Sequence, residues 1–242
     1  TPSGGVAAAS PSAALPQASA SERFPIPSSL SPSHHVPGGT LSTRRRFDRA
    51  YYDRWYRHPR HRIATPSEIR RRAALALAVA EWVLGRTVRH VLDVGCGEAL
   101  WRAPLVALRP GLAYAGVDSS PYVVRRFGRR RGIRHGSFGD LAHLDLRDTY
   151  DLIICADVLH YVPAAEVRAG LAAMSALLGG VAYVPVVTST DDVDGDVRAL
   201  VRRSPAWHRE RFREAGLVPV GLECYVGRES ASGLSALERR RP

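Results

Sequence analysis

Val91-Leu92-Asp93-Val94-Gly95-Cys96-Gly97-Glu98-Ala99 joins a short apolar run to a glycine-rich turn, and a helical pattern follows it. An acid, Asp93, stands just before the glycines. A second, Asp118, closes the next apolar run, Ala113-Tyr114-Ala115-Gly116-Val117. Strand, glycine turn and helix in that order build a cradle for a nucleoside, with a carboxylate about 20 residues on for the ribose hydroxyls. A dinucleotide site requires G-x-G-x-x-G, whose third glycine lets helix and strand pack closely. That position is Leu100 here, so the loop reads Asp-x-Gly-x-Gly-x-Ala instead. Gly95 and Gly97 leave backbone room beside a bound ligand.

Three further stretches follow in order. Asp118 is succeeded by Ser119-Ser120-Pro121, a helix cap with proline at the first helical position. A short strand near Ile133 to His135 leads into Gly136-Ser137-Phe138-Gly139-Asp140-Leu141. Leu152 to Cys155 is a continuous apolar run, as a parallel strand buried on both faces has. It continues into Ala156-Asp157-Val158-Leu159-His160-Tyr161-Val162.

Together these motifs resemble those of class I S-adenosylmethionine (SAM)-dependent methyltransferases of the small-molecule type, over about residues 88 to 240. Ala99 stands where that family carries a third glycine. The resemblance implies a SAM site at Asp93, Gly95, Cys96, Gly97, Asp118, Ser119, Asp140, Leu141, Ala156 and Asp157. Asp118 would hold the ribose, and Asp140 would accept a hydrogen bond from the adenine amino group beside the Leu141 backbone. It also implies that an N-terminal helix covers the methionine end, with Tyr52 among its contacts. His160 is the candidate catalytic base, since a histidine takes up a proton near neutral pH; Tyr161 and His208 are weaker candidates.

The remaining pattern gives an α/β fold: a Rossmann-like, doubly wound, seven-stranded, mostly parallel sheet with a C-terminal antiparallel hairpin. Pro163 to Leu178 reads as a helix ended by Gly179-Gly180, and Val181 to Val187 as the fifth strand. Pro205 to Ala215 reads as a helix stopped by Gly216, with Leu217 to Val226 pairing with Leu234 to Arg239 as the hairpin.

Three regions are expected: a Ser/Pro/Ala-rich disordered tail over 1–42, basic N-terminal helices over 43–86 that serve as lid or substrate region, and a SAM-binding core over 87–242. The net charge is +11. Residues 41–90 hold 13 Arg against 4 acids and so carry most of it. That segment includes Phe47-Asp48-Arg49-Ala50-Tyr51-Tyr52-Asp53-Arg54-Trp55-Tyr56, in which helical spacing groups Tyr52 with Trp55 and Tyr56. Thr65-Pro66-Ser67-Glu68 then has the form of a capping box, and Ile69, Ala73, Leu77, Ala80 and Leu84 follow at helical spacing.

Cys96, Cys155 and Cys224 lack C-x-x-C spacing, and no clustered Cys/His set indicates a metal. No apolar run approaches the ~20 residues of a membrane span. The expected protein is cytoplasmic, moving a methyl group from SAM to an O, N or C atom of a small molecule. An RNA methyltransferase using the arginine-rich segment and an idle SAM-binding module are the alternatives.

Overall fold

The computed structural model describes residues 47–192, 196 and 200–234. The chain enters through a single helical turn, α1 (Arg49–Tyr52), and a π-helical turn over Asp53–Arg57. The long α2 (Pro66–Leu84) follows. Thr65 caps α2 by accepting the Glu68 N–H, and the Glu68 carboxylate takes the Thr65 N–H, so the sequence-legible capping box forms.

Alternation of strands and helices then builds β1 (His90–Val94), α3 (Arg102–Leu108), β2 (Ala113–Asp118), α4 (Pro121–Arg131) and β3 (Ile133–His135). A 3-10 turn over Phe138–His143 leads to β4 (Tyr150–Ile154), and another over Leu159–Tyr161 leads to α5 (Ala164–Ala176). The chain closes with β5 (Leu178–Tyr183), α6 (Pro205–Glu214), β6 (Leu217–Gly221), β7 (Cys224–Gly227) and α7 (Arg228–Leu234).

The sheet order is β3-β2-β1-β4-β5-β7-β6. Only β7 breaks the parallel run, pairing antiparallel with both β5 and β6. The chain reverses direction across the sheet between β1 and β4, and ligands of open α/β sheets bind at the carboxyl ends of strands beside such a switch point. Leu92, Ile153 and Ala182 face one apolar layer with α5; Val91, Leu152 and Val181 face the other with α2 and α3. Alternate residues of each central strand therefore feed opposite layers, which is why β4 reads as an uninterrupted apolar run.

Three expectations change. Gly179 and Gly180 do not end a helix; they lie inside β5, which begins at Leu178 and stops at Tyr183. A Cβ on Gly180 would lie 2.2 Å from the Asp151 carbonyl oxygen, so this glycine serves close strand packing at an irregularity in the β4–β5 register. The hairpin is shorter than expected: Leu217–Gly221 turns directly into Cys224–Gly227, and Leu234 belongs to α7. Its two turn residues, Leu222 and Glu223, have φ of 52° and 63°, a turn without the usual Asn-Gly signal. The rest of the expected partner strand, 235–239, lies outside the described residues, as does the 1–42 tail. Finally, α2 is core: Ala73, Ala76, Leu77 and Ala80 are buried against β4 and β5. Among the described residues of the 43–86 segment, the turns over 49–57 lie outside that cluster.

Candidate active site

A cavity of about 500 Å³ opens at the carboxyl ends of β1, β2 and β4. Its floor is the glycine loop. Gly95 and Gly97 have φ of 68° and 53°. A Cβ on Gly95 would lie 2.4 Å from Val158 Cγ2, and one on Gly97 2.5 Å from the Tyr56 hydroxyl. Both the dihedral and the space demand glycine here. Ala99, in place of a third glycine, adopts φ 57° without one.

The loop is pinned from β2. Asp118 accepts the Gly97 N–H at 2.7 Å and the Ser120 N–H at 2.8 Å. Burial raises its pKa, and the two amides work against that rise. Asp93 is buried at the end of β1, accepting the Tyr114 hydroxyl at 2.7 Å. Burial, aided by the charge of Asp118, pushes its pKa up to about 7, while the Tyr114 hydrogen bond opposes the shift.

The roof is aromatic. Tyr52 stacks on Tyr122 of α4 with centroids 5.7 Å apart, and Tyr56 lies 4.7 Å from Tyr52. The Ser120 hydroxyl donates to the Phe47 carbonyl, and the Arg57 guanidinium pairs with the buried Glu98. Both contacts hold the roof to the loop. The inward face is Tyr51, Tyr52 and Tyr56, not the expected Tyr52, Trp55 and Tyr56. A π-helical turn carries more residues per turn than an α-helix, which shifts the facing positions. Trp55 turns toward His61 instead, and Arg57 is an anchor of the roof. Removing the Tyr56 ring strips the cover from Gly97: Tyr56→Ala is expected to weaken binding of S-adenosylhomocysteine (SAH), the demethylated cofactor, about tenfold by calorimetry with no RNA present.

The far wall follows β4. Ala156, Asp157 and Val158 line the cavity, and so do His160 and Tyr161. Asp157 sits at φ 60°, a strained conformation for aspartate held by two neighbours. Its N–H donates to the Pro185 carbonyl, and its carboxylate accepts both terminal nitrogens of Arg72 at 3.2 Å. Arg72 also donates to the Tyr183 hydroxyl, which in turn donates to Glu223.

His160 is buried. Its Nδ1 accepts the Val187 N–H at 3.3 Å. That bond requires the proton of the neutral ring to be on Nε2, which makes the ring a donor there. This geometry disfavours His160 as the base that takes a proton from the acceptor.

Of the residues implicated by sequence, the structure gathers Asp93, Gly95, Cys96, Gly97, Asp118 and Ser119 on one side of the cavity. Ala156, Asp157, His160 and Tyr52 complete it from the other walls. Asp140 and Leu141 are not in the wall. The Asp140 carboxylate accepts the Ser137 N–H at 2.9 Å, capping its own 3-10 turn, which lowers its pKa; Leu141 is fully buried in the core. Gly136, Ser137 and Phe138 reach the cavity in their place. His208 is also away from it, packed beside Phe212, with a pKa lowered to about 4 by burial and then by Arg203.

Arg72 was not singled out by sequence, although a signal existed. It falls three residues after Ile69 and one before Ala73, on the buried stripe of α2, while Arg70 and Arg71 point elsewhere. Among the described residues, no group of three potential metal ligands occurs and no helix is long and apolar enough to cross a membrane.

Residues 92–180, which run from β1 into β5, match the family model of the methyltransferase domain. The match, the fold and the glycine loop together point to class I methyltransferases. The match supports SAM as the cofactor. Solved structures agree on the fold. The sugar N-methyltransferase KedS8 from a Streptoalloteichus species is 19% identical with a TM-score of 0.54, covering 82% of this chain and 98% of its own. DesVI from Streptomyces venezuelae is 17% identical at a TM-score of 0.51, covering 65% and 92%. The amino pentose methyltransferase CalS10 from Micromonospora echinaspora is 21% identical at 0.50, covering 65% and 89%. No curated protein sequence matches this chain significantly.

Proposed function

We propose that the chain moves a methyl group from SAM to a small-molecule acceptor inside this cavity. The observation that carries the reading is the Asp118 carboxylate. It is fixed by the Gly97 and Ser120 amides and faces a cavity closed above by Tyr52 and Tyr56. Two glycines that tolerate no Cβ, an acid at the ribose distance and an aromatic roof suit a nucleoside joined to an amino acid.

The cofactor supplies an activated sulfonium methyl. The protein therefore orients the partners and excludes water. Asp118 would hold the ribose hydroxyls. Ser137 and Phe138, at the position Asp140 was expected to fill, would meet the adenine edge. Arg72, brought to the cavity by Asp157, would pair with the methionine carboxylate. Cys96, Ser119 and Ala156 would complete the cofactor surface by shape. His160, with its proton on Nε2, would donate a hydrogen bond to the acceptor or shape its wall, and the acceptor would lose its proton to another group or to solvent. Enclosure of this volume favours a small acceptor, and two structural neighbours are described as a sugar N-methyltransferase and an amino pentose methyltransferase. All three cysteines are free and buried, which suits a reducing, cytoplasmic setting.

Calorimetry with SAM and SAH, followed by labelled-methyl transfer into pools of small metabolites and RNA, tests the reading. Tight SAH binding with label entering only small molecules is expected; label entering RNA alone, or no SAH binding, overturns it. Arg72→Met is expected to weaken SAH binding by ~10–100-fold, the range for a hydrogen bond to a charged group. Adenosine, which lacks the carboxylate, is expected to bind equally to both forms.

A further inference from the structure

The turn that presents His160 and Tyr161 is three residues long, too short to fix itself. A 3-10 turn leaves carbonyls at its end open to outside partners. A segment from far along the chain supplies them here. The His160 carbonyl accepts the Val201 N–H at 2.8 Å. The Leu159 carbonyl, which takes the Val162 N–H at 3.2 Å within the turn, also accepts Arg203 Nη1 at 2.9 Å, and the Val162 carbonyl accepts Arg203 Nη2 at 2.6 Å.

Arg203 is 8% exposed, and among the described residues it forms no salt bridge with a carboxylate. Burial lowers its pKa, although a guanidinium stays charged in practice. Taking an unpaired guanidinium out of water costs several kcal/mol, so packing alone does not account for it. What an arginine adds is a planar fork whose two ends donate to separate acceptors in a fixed geometry. The fork is itself held. The guanidinium lies 4.5 Å from the Trp207 ring centroid, and the Arg203 carbonyl accepts the Ser189 N–H at 2.8 Å. Ser204 next to it caps α6 by accepting the Trp207 N–H at 3.1 Å. The arginine therefore projects from the start of an anchored helix.

We propose that Arg203 is a positioning residue: its fork, bonded to the carbonyls on either side of His160 and Tyr161, sets the turn that aims both side chains into the cavity. The proposal rests on the methyltransferase reading for the meaning of that wall, but not for its geometry. Arg203 acts through the turn and touches neither cofactor nor acceptor. Loss of the fork is expected to loosen the His160 side of the site and to leave the Asp118 side intact.

Ring nitrogen–proton spectra of histidine-labelled protein test this, with the His160 signal assigned by its loss in His160→Gln. Wild type is expected to show the Nε2–H form, with Nδ1 as acceptor. In Arg203→Met that signature is expected to be lost or broadened, while the affinity for SAH by calorimetry stays within about twofold of wild type (~0.4 kcal/mol). Arg203→Lys, which keeps the charge but not the fork, is expected to recover part of the signal and decides the matter if Arg203→Met does not fold. A folded Arg203→Met or Arg203→Lys with a wild-type His160 spectrum overturns the proposal. Failure of wild type to bind SAH overturns the methyltransferase reading instead and leaves the spectral comparison valid.

Discussion

Asp118→Ala is expected to reduce the affinity for SAM by about 100-fold or more, roughly 3 kcal/mol. Two losses combine. The first is the acceptor for the ribose hydroxyls. The second is internal: the Gly97 and Ser120 amides, at 2.7 and 2.8 Å, lose a buried partner. An unsatisfied buried donor costs ~1–3 kcal/mol, and the chain would relieve that cost by moving. Gly97 has little room to move, since the Tyr56 hydroxyl occupies the space beside its Cα. The loop and the roof would therefore shift together. Asp118→Asn keeps one oxygen, enough for only one amide without sharing, so it is expected to fall between Ala and wild type. Calorimetric titration of the three proteins with SAM, at matched folded fractions, measures the series. Equal affinities would remove Asp118 from the site and the proposed function with it.

The series also separates what the sequence made legible from what it did not. Asp93 and Asp118 were readable because each stands at the carboxyl end of an apolar strand, and Gly95 and Gly97 because they make the turn that leaves β1. The interior place of β4 in the sheet was legible from the same kind of pattern, since a strand must be buried on both faces to be so apolar. The sequence decides less where a residue has two competing uses. Its motif offers Asp140 to a ligand, but an acid three residues after Ser137 is also a cap for a short helical turn, and that local bond forms. Gly179-Gly180 could end a helix or admit a close strand, and only the approach of the Asp151 carbonyl decides it. Trp55 was grouped with the tyrosines by an α-helical period that the π-helical turn does not keep. Arg203 had no local signal at all. Its partners are 41 and 44 residues away, and its role exists only once the chain has returned to them.

The buried carboxyl of Asp93 gives the second large effect. Its proton is held up to about pH 7 against an ordinary 3.8, chiefly by burial. The unfolded chain releases that proton near 3.8, so between those values the native protein binds more protons than the unfolded one. Stability therefore falls as pH rises through this window, and above about pH 7 the whole penalty is present. It is on the order of 2–4 kcal/mol. Asp93→Asn cannot ionise, yet it keeps an oxygen to accept the Tyr114 hydroxyl now bonded at 2.7 Å. The ligand-free variant is expected to exceed wild type in stability at pH 8 by that amount, and by little near pH 4. Urea unfolding at both pH values measures the gap; a gap independent of pH would show that folding does not raise the Asp93 pKa. Cofactor binding should move the other way. SAM brings positive charge to the carboxyl ends of these strands, so it favours the ionised Asp93. Wild-type affinity is expected to rise as pH passes through about 7, and the Asn variant to bind more weakly with a flatter profile. A substitution that stabilises the empty protein and weakens the complex would mark Asp93 as a group kept for its ligand, at a standing cost to the fold.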